Sequence, residues 1–337
     1  MNLRRFAAGV ACVVLLGAQP ASLPRQLGAL AAQYYAQAAR IAVATGRDST
    51  MDYYQRLVDD AATFGSAAPP GVNAASWDEL RQNFARLDSS LATQLLDSAY
   101  APMASVRGLG ERFVRSSKDG TMQPVAVYVP RSYSPSRPAP LLIFLHGRLQ
   151  AESHLLSPQY IADLAEQTGT IVVAPYARGY YDYSGSESDV YDAFDAASGA
   201  FNIDVHRRYL AGYSMGGFSV FKIAPLHPND WSAVMSIAGS LLNSRAGHVL
   251  SSLSRTRFYV LTGARDPIVT TTFAIDTAVF LRDSGLAVTF YSQPDGTHSI
   301  YTLRPIFAQA WLDMERGVVR PPAGLTGSGS LPEAVSQ

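Results

Sequence analysis

Cysteine is almost missing from this sequence: among 337 residues there is one, Cys12. It sits inside an apolar N-terminal stretch, so the chain beyond that stretch can hold neither a disulfide nor a cysteine-ligated metal, and a cysteine nucleophile is excluded. An excess of either charge is missing too. Lys and Arg total 27, as do Asp and Glu, which leaves no electrostatic footprint for nucleic acid or another polyanion. Lysine occurs only at Lys118 and Lys222, the other basic residues being arginine. No His-Glu-x-x-His or comparable cluster is present, so no metal site is expected, and nothing calls for a cofactor. The longest candidate for a membrane span, residues 6–18, has thirteen residues, short of the roughly 20 that a helix needs to cross a bilayer.

That stretch reads instead as the apolar core of an export signal behind the charged start Met1-Asn2-Leu3-Arg4-Arg5. A signal peptide over 1–21, with cleavage after Ala18 or Ala21, predicts a secreted or periplasmic protein without stable membrane insertion after cleavage; Pro20 makes either site imperfect, and an uncleaved anchor is the alternative. Residues 22–105 then form a helical appendage of two or three helices. Leu27, Leu30, Tyr34, Ala38 and Ile41 fall on one helical face, residues 52–64 continue in the same style, and Pro69-Pro70-Gly71 breaks the pattern. Ser76-Trp77-Asp78-Glu79 has the spacing of a capping box, opening a helix that bears Leu80, Phe84, Leu87, Leu91 and Leu95. A packing or dimerising element, a lid and a pro-segment all remain open for this region, as does the oligomeric state. The tail, 319–337, is rich in Pro, Gly and Ser and reads as disordered.

Residues 106–318 alternate strand-like and helix-like patterns. Runs at 111–115 and 125–129 flank the turn Ser117-Lys118-Asp119-Gly120 and predict an antiparallel edge hairpin. Short apolar runs follow at 141–145, 170–174, 209–211, 233–237, 258–262 and 287–291, separated by helical stretches. Near-continuous apolar strands alternating with helices mean an α/β fold whose mainly parallel sheet is covered on both faces, with the site at the carboxyl ends of the strands.

The chemistry concentrates at Gly212-Tyr213-Ser214-Met215-Gly216-Gly217, between an apolar run and an amphipathic one. A serine at a sharp strand-to-helix turn needs glycine on both sides, because a Cβ two residues away would strike the neighbouring backbone. The bare pattern is weak in a chain with 26 glycines. Its context is stronger. Asp266 leaves the 258–262 strand in Gly263-Ala264-Arg265-Asp266-Pro267, and His298 follows the 287–291 strand in Pro294-Asp295-Gly296-Thr297-His298. Serine, then acid, then histidine is the order one hydrolase fold imposes. In that arrangement Ser214 is the nucleophile, His298 the base and Asp266 its orienting acid; Asp295 competes for the last role but is more simply a turn former. The backbone amides of Met215 and Arg148, the latter just after Leu145-His146-Gly147, are the expected oxyanion donors. Asp189, ahead of an apolar-periodic stretch, suits a helix cap.

The segments Ala174-Pro175-Tyr176-Ala177-Arg178-Gly179, Glu187-Ser188-Asp189-Val190, Asn202-Ile203-Asp204, Arg208 to Gly217 and Ser236-Ile237-Ala238-Gly239 resemble those of secreted esterases and prolyl-oligopeptidase-like members of the α/β-hydrolase superfamily. With the Leu-His-Gly, Arg-Asp and Thr-His elements, the resemblance spans about 110–316 and leaves out the first hundred residues. It implies a serine hydrolase acting on a small-molecule carboxylic ester through an acyl-enzyme. The aromatic loop after the 170–174 strand, together with the turn, makes Tyr176, Tyr180 and Tyr213 candidate substrate contacts, with packing of the loop's rings against the helical appendage the alternative, whereas Arg178 suits structural support. Two alternatives stand beside the esterase. A prolyl-type peptidase would share the triad, but its members carry a propeller of several hundred residues, against about 90 between the signal and the hydrolase part here. A catalytically silent hydrolase fold used for binding would not need the full set of site residues.

Overall fold

The computed structural model describes residues 22–45, 51–178, 183, 185 and 187–333, so the signal-like segment 1–21 lies outside the described residues. Four helices come first: α1 (Leu23–Ala36), α2 (Ala38–Thr45), α3 (Met51–Thr63) and α4 (Ala74–Asp97). The sheet region follows as β1 (Gly108–Arg115), β2 (Met122–Val129), β3 (Ala139–Leu145), α5 (Glu152–Leu156), α6 (Gln159–Thr168), β4 (Ile171–Pro175), α7 (Glu187–Ala200), β5 (Ile203–Tyr213) and α8 (Met215–Ile223). It closes with β6 (Ala233–Ile237), α9 (Ala246–Ser252), β7 (Arg257–Gly263), α10 (Thr271–Asp283), β8 (Val288–Gln293) and α11 (Arg304–Arg316).

The eight strands form one sheet in the order β1-β2-β4-β3-β5-β6-β7-β8. β1 pairs antiparallel with β2 and β2 antiparallel with β4; every later pairing is parallel. Alternation along β3 shows why both faces are covered. Leu141, Ile143 and Leu145 face one layer with Val190 and Phe194 of α7, Val220 and Phe221 of α8 and Leu281 of α10. Leu142 and Phe144 face the other layer with Ile161 of α6 and with Phe307, Trp311 and Met314 of α11. Each such side chain, buried completely, contributes about 1.5–3 kcal/mol, so these central strands cannot slip register without losing both layers.

The helical region adds a third cluster. Leu27, Tyr34 and Ile41 lie on one stripe and pack with Leu57, Leu91 and Leu95, and with Phe113 of β1 and Met122 of β2. The periodicity that reads as one helix through Ile41 is broken at Gln37, between α1 and α2, so the described residues of this region form four helices rather than two or three. The expected capping box does not form. The Asn73 side chain accepts from the Ser76 N–H at 2.9 Å and starts α4 two residues before Ser76, where the Asn carboxamide satisfies a free first-turn amide. Trp77 of α4 donates its indole N–H to the Ser66 oxygen.

The tail also differs from its expectation. Over the described residues 319–333 it follows a bonded path: Arg320 pairs with Asp313, Ser328 donates through Oγ to Asp276 at 2.7 Å, and Leu325 and Leu331 pack on the core. Its scattered leucines and serines find partners that composition alone does not reveal.

Candidate active site

Ser214 is the residue before α8, with φ 52° and ψ −115°. A serine there ordinarily has extended φ and caps its own helix; the positive φ turns the hydroxyl away, and no capping bond forms. The turn is steric. A Cβ on Gly212 would overlap the Gly216 carbonyl, and one on Gly216 would overlap the Leu145 carbonyl at the end of β3. The Ser214 N–H donates to Ile237 of β6 at 2.8 Å.

Freed from its helix, Ser214 Oγ lies 2.8 Å from His298 Nε2, and His298 Nδ1 lies 2.8 Å from Asp266 Oδ2. Asp266 is buried, and its other oxygen accepts the Ile268 and Val269 amides at 2.8 and 2.9 Å. Those bonds orient the carboxylate. Asp295 stands apart, exposed and paired with Arg265 at 2.8 Å.

Met215, the first residue of α8, places its amide at the positive end of that helix. Arg148 lies on the turn that follows β3, next to Leu149 at φ 60°. That turn is braced inside by the Gly147 N–H donating to Gln150 Oε1 at 3.0 Å.

Two of the three aromatic candidates pack inward. Tyr176 is buried, its ring stacked on His146 and covered by the Arg56 guanidinium at 4.5 Å. Tyr213 is buried with its hydroxyl donating to the His298 backbone oxygen at 2.6 Å, and burial pushes that phenol upward. Tyr180 lies outside the described residues. Asp189 is not a cap but receives Arg178 Nε at 2.6 Å and the Ser116 hydroxyl, while Arg178 also pairs with Asp119. Asp189 is the third residue of α7, inside its first turn rather than ahead of it.

Sequence reading missed a buried charged cluster behind the site. Arg56 of α3 forms a two-pronged bond with Glu152 of α5, at 2.7 and 2.9 Å, and lies 3.8 Å from Asp88 of α4. Burial works against both charges of the pair. For Arg56 the carboxylates of Glu152 and Asp88 outweigh it, and for Glu152 the guanidinium does, holding that carboxyl below its ordinary range. Glu111 also faces Glu152, and Asp60 faces Asp88. Burial and the neighbouring negative charges push Glu111 and Asp60 far up. Burial and the Arg56 charge pull His154 down to about 4, and burial pulls His146 down as well. Only a pattern spanning 96 residues links Arg56 to Glu152, which is why no local motif announces them.

A cleft of about 260 Å³ opens where the α4 start meets α6 and α11, lined by Asn73, Glu79, Tyr160, Asp163, Tyr301 and Arg304. Tyr301 is three residues past His298.

A serine on a strained turn at the carboxyl edge of a mainly parallel sheet, with Asp266 and His298 after it in chain order, is the arrangement of the α/β-hydrolase fold, and the chain has that fold. Within it, residues 116–255 match the model of the esterase family described as "Putative esterase". Over 129 residues the chain is 32% identical to the bifunctional acetylxylan esterase/xylanase XynS20E of Neocallimastix patriciarum, covering 36% of this chain and 19% of that protein. It thus spans about a fifth of the length of that curated relative. Among solved structures, a thermostable esterase superposes with TM-score 0.51 and 20% identity over 63% of each chain. A ferulic acid esterase superposes with TM-score 0.54 and 18% identity, over 62% of this chain and 97% of the other. At these identities the two structures speak for the fold.

Proposed function

We propose that this chain hydrolyses carboxylic esters through an acyl-enzyme on Ser214. The observation that carries the reading is the continuous relay Ser214 Oγ, His298, Asp266, with 2.8 Å at each step. An alcohol is a poor nucleophile at neutral pH unless a base takes its proton as it attacks. Ser214 Oγ adds to the ester carbonyl while His298 Nε2 accepts the proton, and Asp266, fixed by two amides, stabilises the imidazolium. The oxyanion lies against the amides of Met215 and Arg148; one such donor is worth about 3–4 kcal/mol in the transition state. As the C–O bond breaks, the imidazolium protonates the departing alcohol. Water, deprotonated by His298, then attacks the acyl carbon and frees the acid and Ser214.

The esterase match and the acetylxylan esterase relative make acetyl esters the first substrates to try. Export through segment 1–21 belongs to the same reading, supported by the paired arginines ahead of the apolar stretch; no helix among the described residues is long and apolar enough to cross a membrane.

The test is a panel of p-nitrophenyl esters and proline-containing peptide amides on the purified chain, with fluorophosphonate labelling read by intact mass. Ester turnover with one adduct, lost in Ser214→Ala, is expected. Turnover of the amides in preference to esters would favour the peptidase. A folded chain that neither turns over nor labels would be a binding protein.

A further inference from the structure

The six residues 146–151 join β3 to α5 and carry Arg148. They are held at both ends. At the entrance the His146 ring sits between the Gly147 and Tyr176 carbonyls, at 2.9 and 3.2 Å, and stacks on the Tyr176 ring. At the exit the Ala151 N–H donates to His154 Nδ1, and Glu152 is clamped by Arg56. The Arg56 guanidinium that clamps Glu152 also covers the Tyr176 ring. One side chain therefore reaches the shelf under the loop's entrance and the anchor at its exit. It comes from α3, in the helical region outside the family match at 116–255. α4 adds to the same grip, with Phe84 against the His154 ring at 4.6 Å and Asn83 donating to the Ser157 oxygen.

Resting on the functional reading above, we infer that Arg56 is a positioning residue for the oxyanion loop, so that the helical region sets where the Arg148 amide points. An amide serves an oxyanion only within hydrogen-bond reach and direction, and a misplacement of about 1 Å caused by a distant change can cost roughly a hundredfold in rate. Only arginine suits the place, since lysine has neither the planar fork for a carboxylate nor the flat face for a ring. The loop's own bonds, Gly147 to Gln150, fix its internal shape but not its tilt against the sheet. The tilt is set by the two ends, which converge on Arg56.

The test uses the full chain and p-nitrophenyl acetate. Arg56→Lys keeps the charge but loses the fork and the ring contact. The double variant Arg56→Gln with Glu152→Gln removes both charges of the pair while keeping polar groups of similar shape. The expected result is kcat lower by about tenfold to a hundredfold in either folded variant, with KM within about twofold. A role limited to stability would leave kcat intact in whatever folds, so a folded variant with parental kcat overturns the inference. Should neither variant fold, Tyr176→Leu, which leaves the ion pair in place, decides by the same kcat and KM readout. A parent chain inert toward every ester, without labelling at Ser214, instead removes the functional reading and this inference with it.

Discussion

Tyr213 and His298 are joined by a hydrogen bond from the phenol to a backbone oxygen at 2.6 Å, so the neighbour of Ser214 grips the segment that carries His298. Spacing between Ser214 and His298 is set by a bond that touches neither ring nor hydroxyl of that pair. Tyr213→Phe removes it without emptying the volume. One neutral bond of this kind is worth about 1 kcal/mol, so kcat should fall by roughly fivefold to tenfold with KM unchanged. A KM effect with constant kcat on a series of esters would return Tyr213 to the substrate wall.

Asp266 and Asp295 are the rival acids, and the geometry divides them. Asp266→Asn should lower kcat by about 10³–10⁴-fold, as when an orienting carboxylate is replaced and the imidazole tautomer is no longer held. Asp295→Ala removes only an exposed pair with Arg265, and its activity should stay within about twofold of the parent. Steady-state rates on one ester for both variants settle the assignment; the reverse ranking would refute it.

Gly212→Ala puts a methyl group into the Gly216 carbonyl. Backbone cannot move aside as a side-chain tip can, so the substitution should destabilise by about 1–3 kcal/mol or more and abolish labelling at Ser214. Chemical denaturation together with fluorophosphonate uptake measures both, and a variant of parental stability and labelling would contradict the close packing of the turn.

Stability should depend on pH through Asp60, which faces Asp88, Asp59 and Arg56. Burial first, then the Asp88 charge, raises Asp60 in the folded protein, whereas an unfolded aspartate releases its proton near pH 4. Between that pH and the raised folded value the native state holds a proton that the unfolded chain has lost, so stability falls as pH rises. Asp60→Asn has no proton to hold. Relative to the parent it should gain stability steadily from pH 4 to pH 8, seen as a rising difference in urea midpoint. A growing loss would mean that Asp60 is ionised and serves as a second counter-charge to Arg56.

The sheet is legible in the sequence where burial is two-sided and uninterrupted. The run 233–237 coincides with β6 at both ends because all five residues are buried. β5 begins six residues before its predicted start, since Val205 and His206 are exposed and a half-solvated stretch does not read as a parallel strand. Ser214, Asp266 and His298 could be named because the fold imposes their order along the chain. The supporting shell could not. Arg56 looks like any solvated helix arginine until α5 is packed against it, and Tyr176 and Tyr213 look like pocket walls because sequence does not say which way a ring turns at the end of a strand.

The three tryptophans give each layer its own optical reporter. Trp77 belongs to the helical region, while Trp231 and Trp311 are buried on opposite faces of the sheet. With the latter two changed to phenylalanine, emission comes from the helical region alone, and its shift on heating can be laid over the circular dichroism of the whole chain. Because an ion pair sunk between α3 and α5 cannot be opened to water in halves, the two curves should share one midpoint. The helices would then melt as part of the chain's cooperative unit rather than come away beforehand as a detachable module.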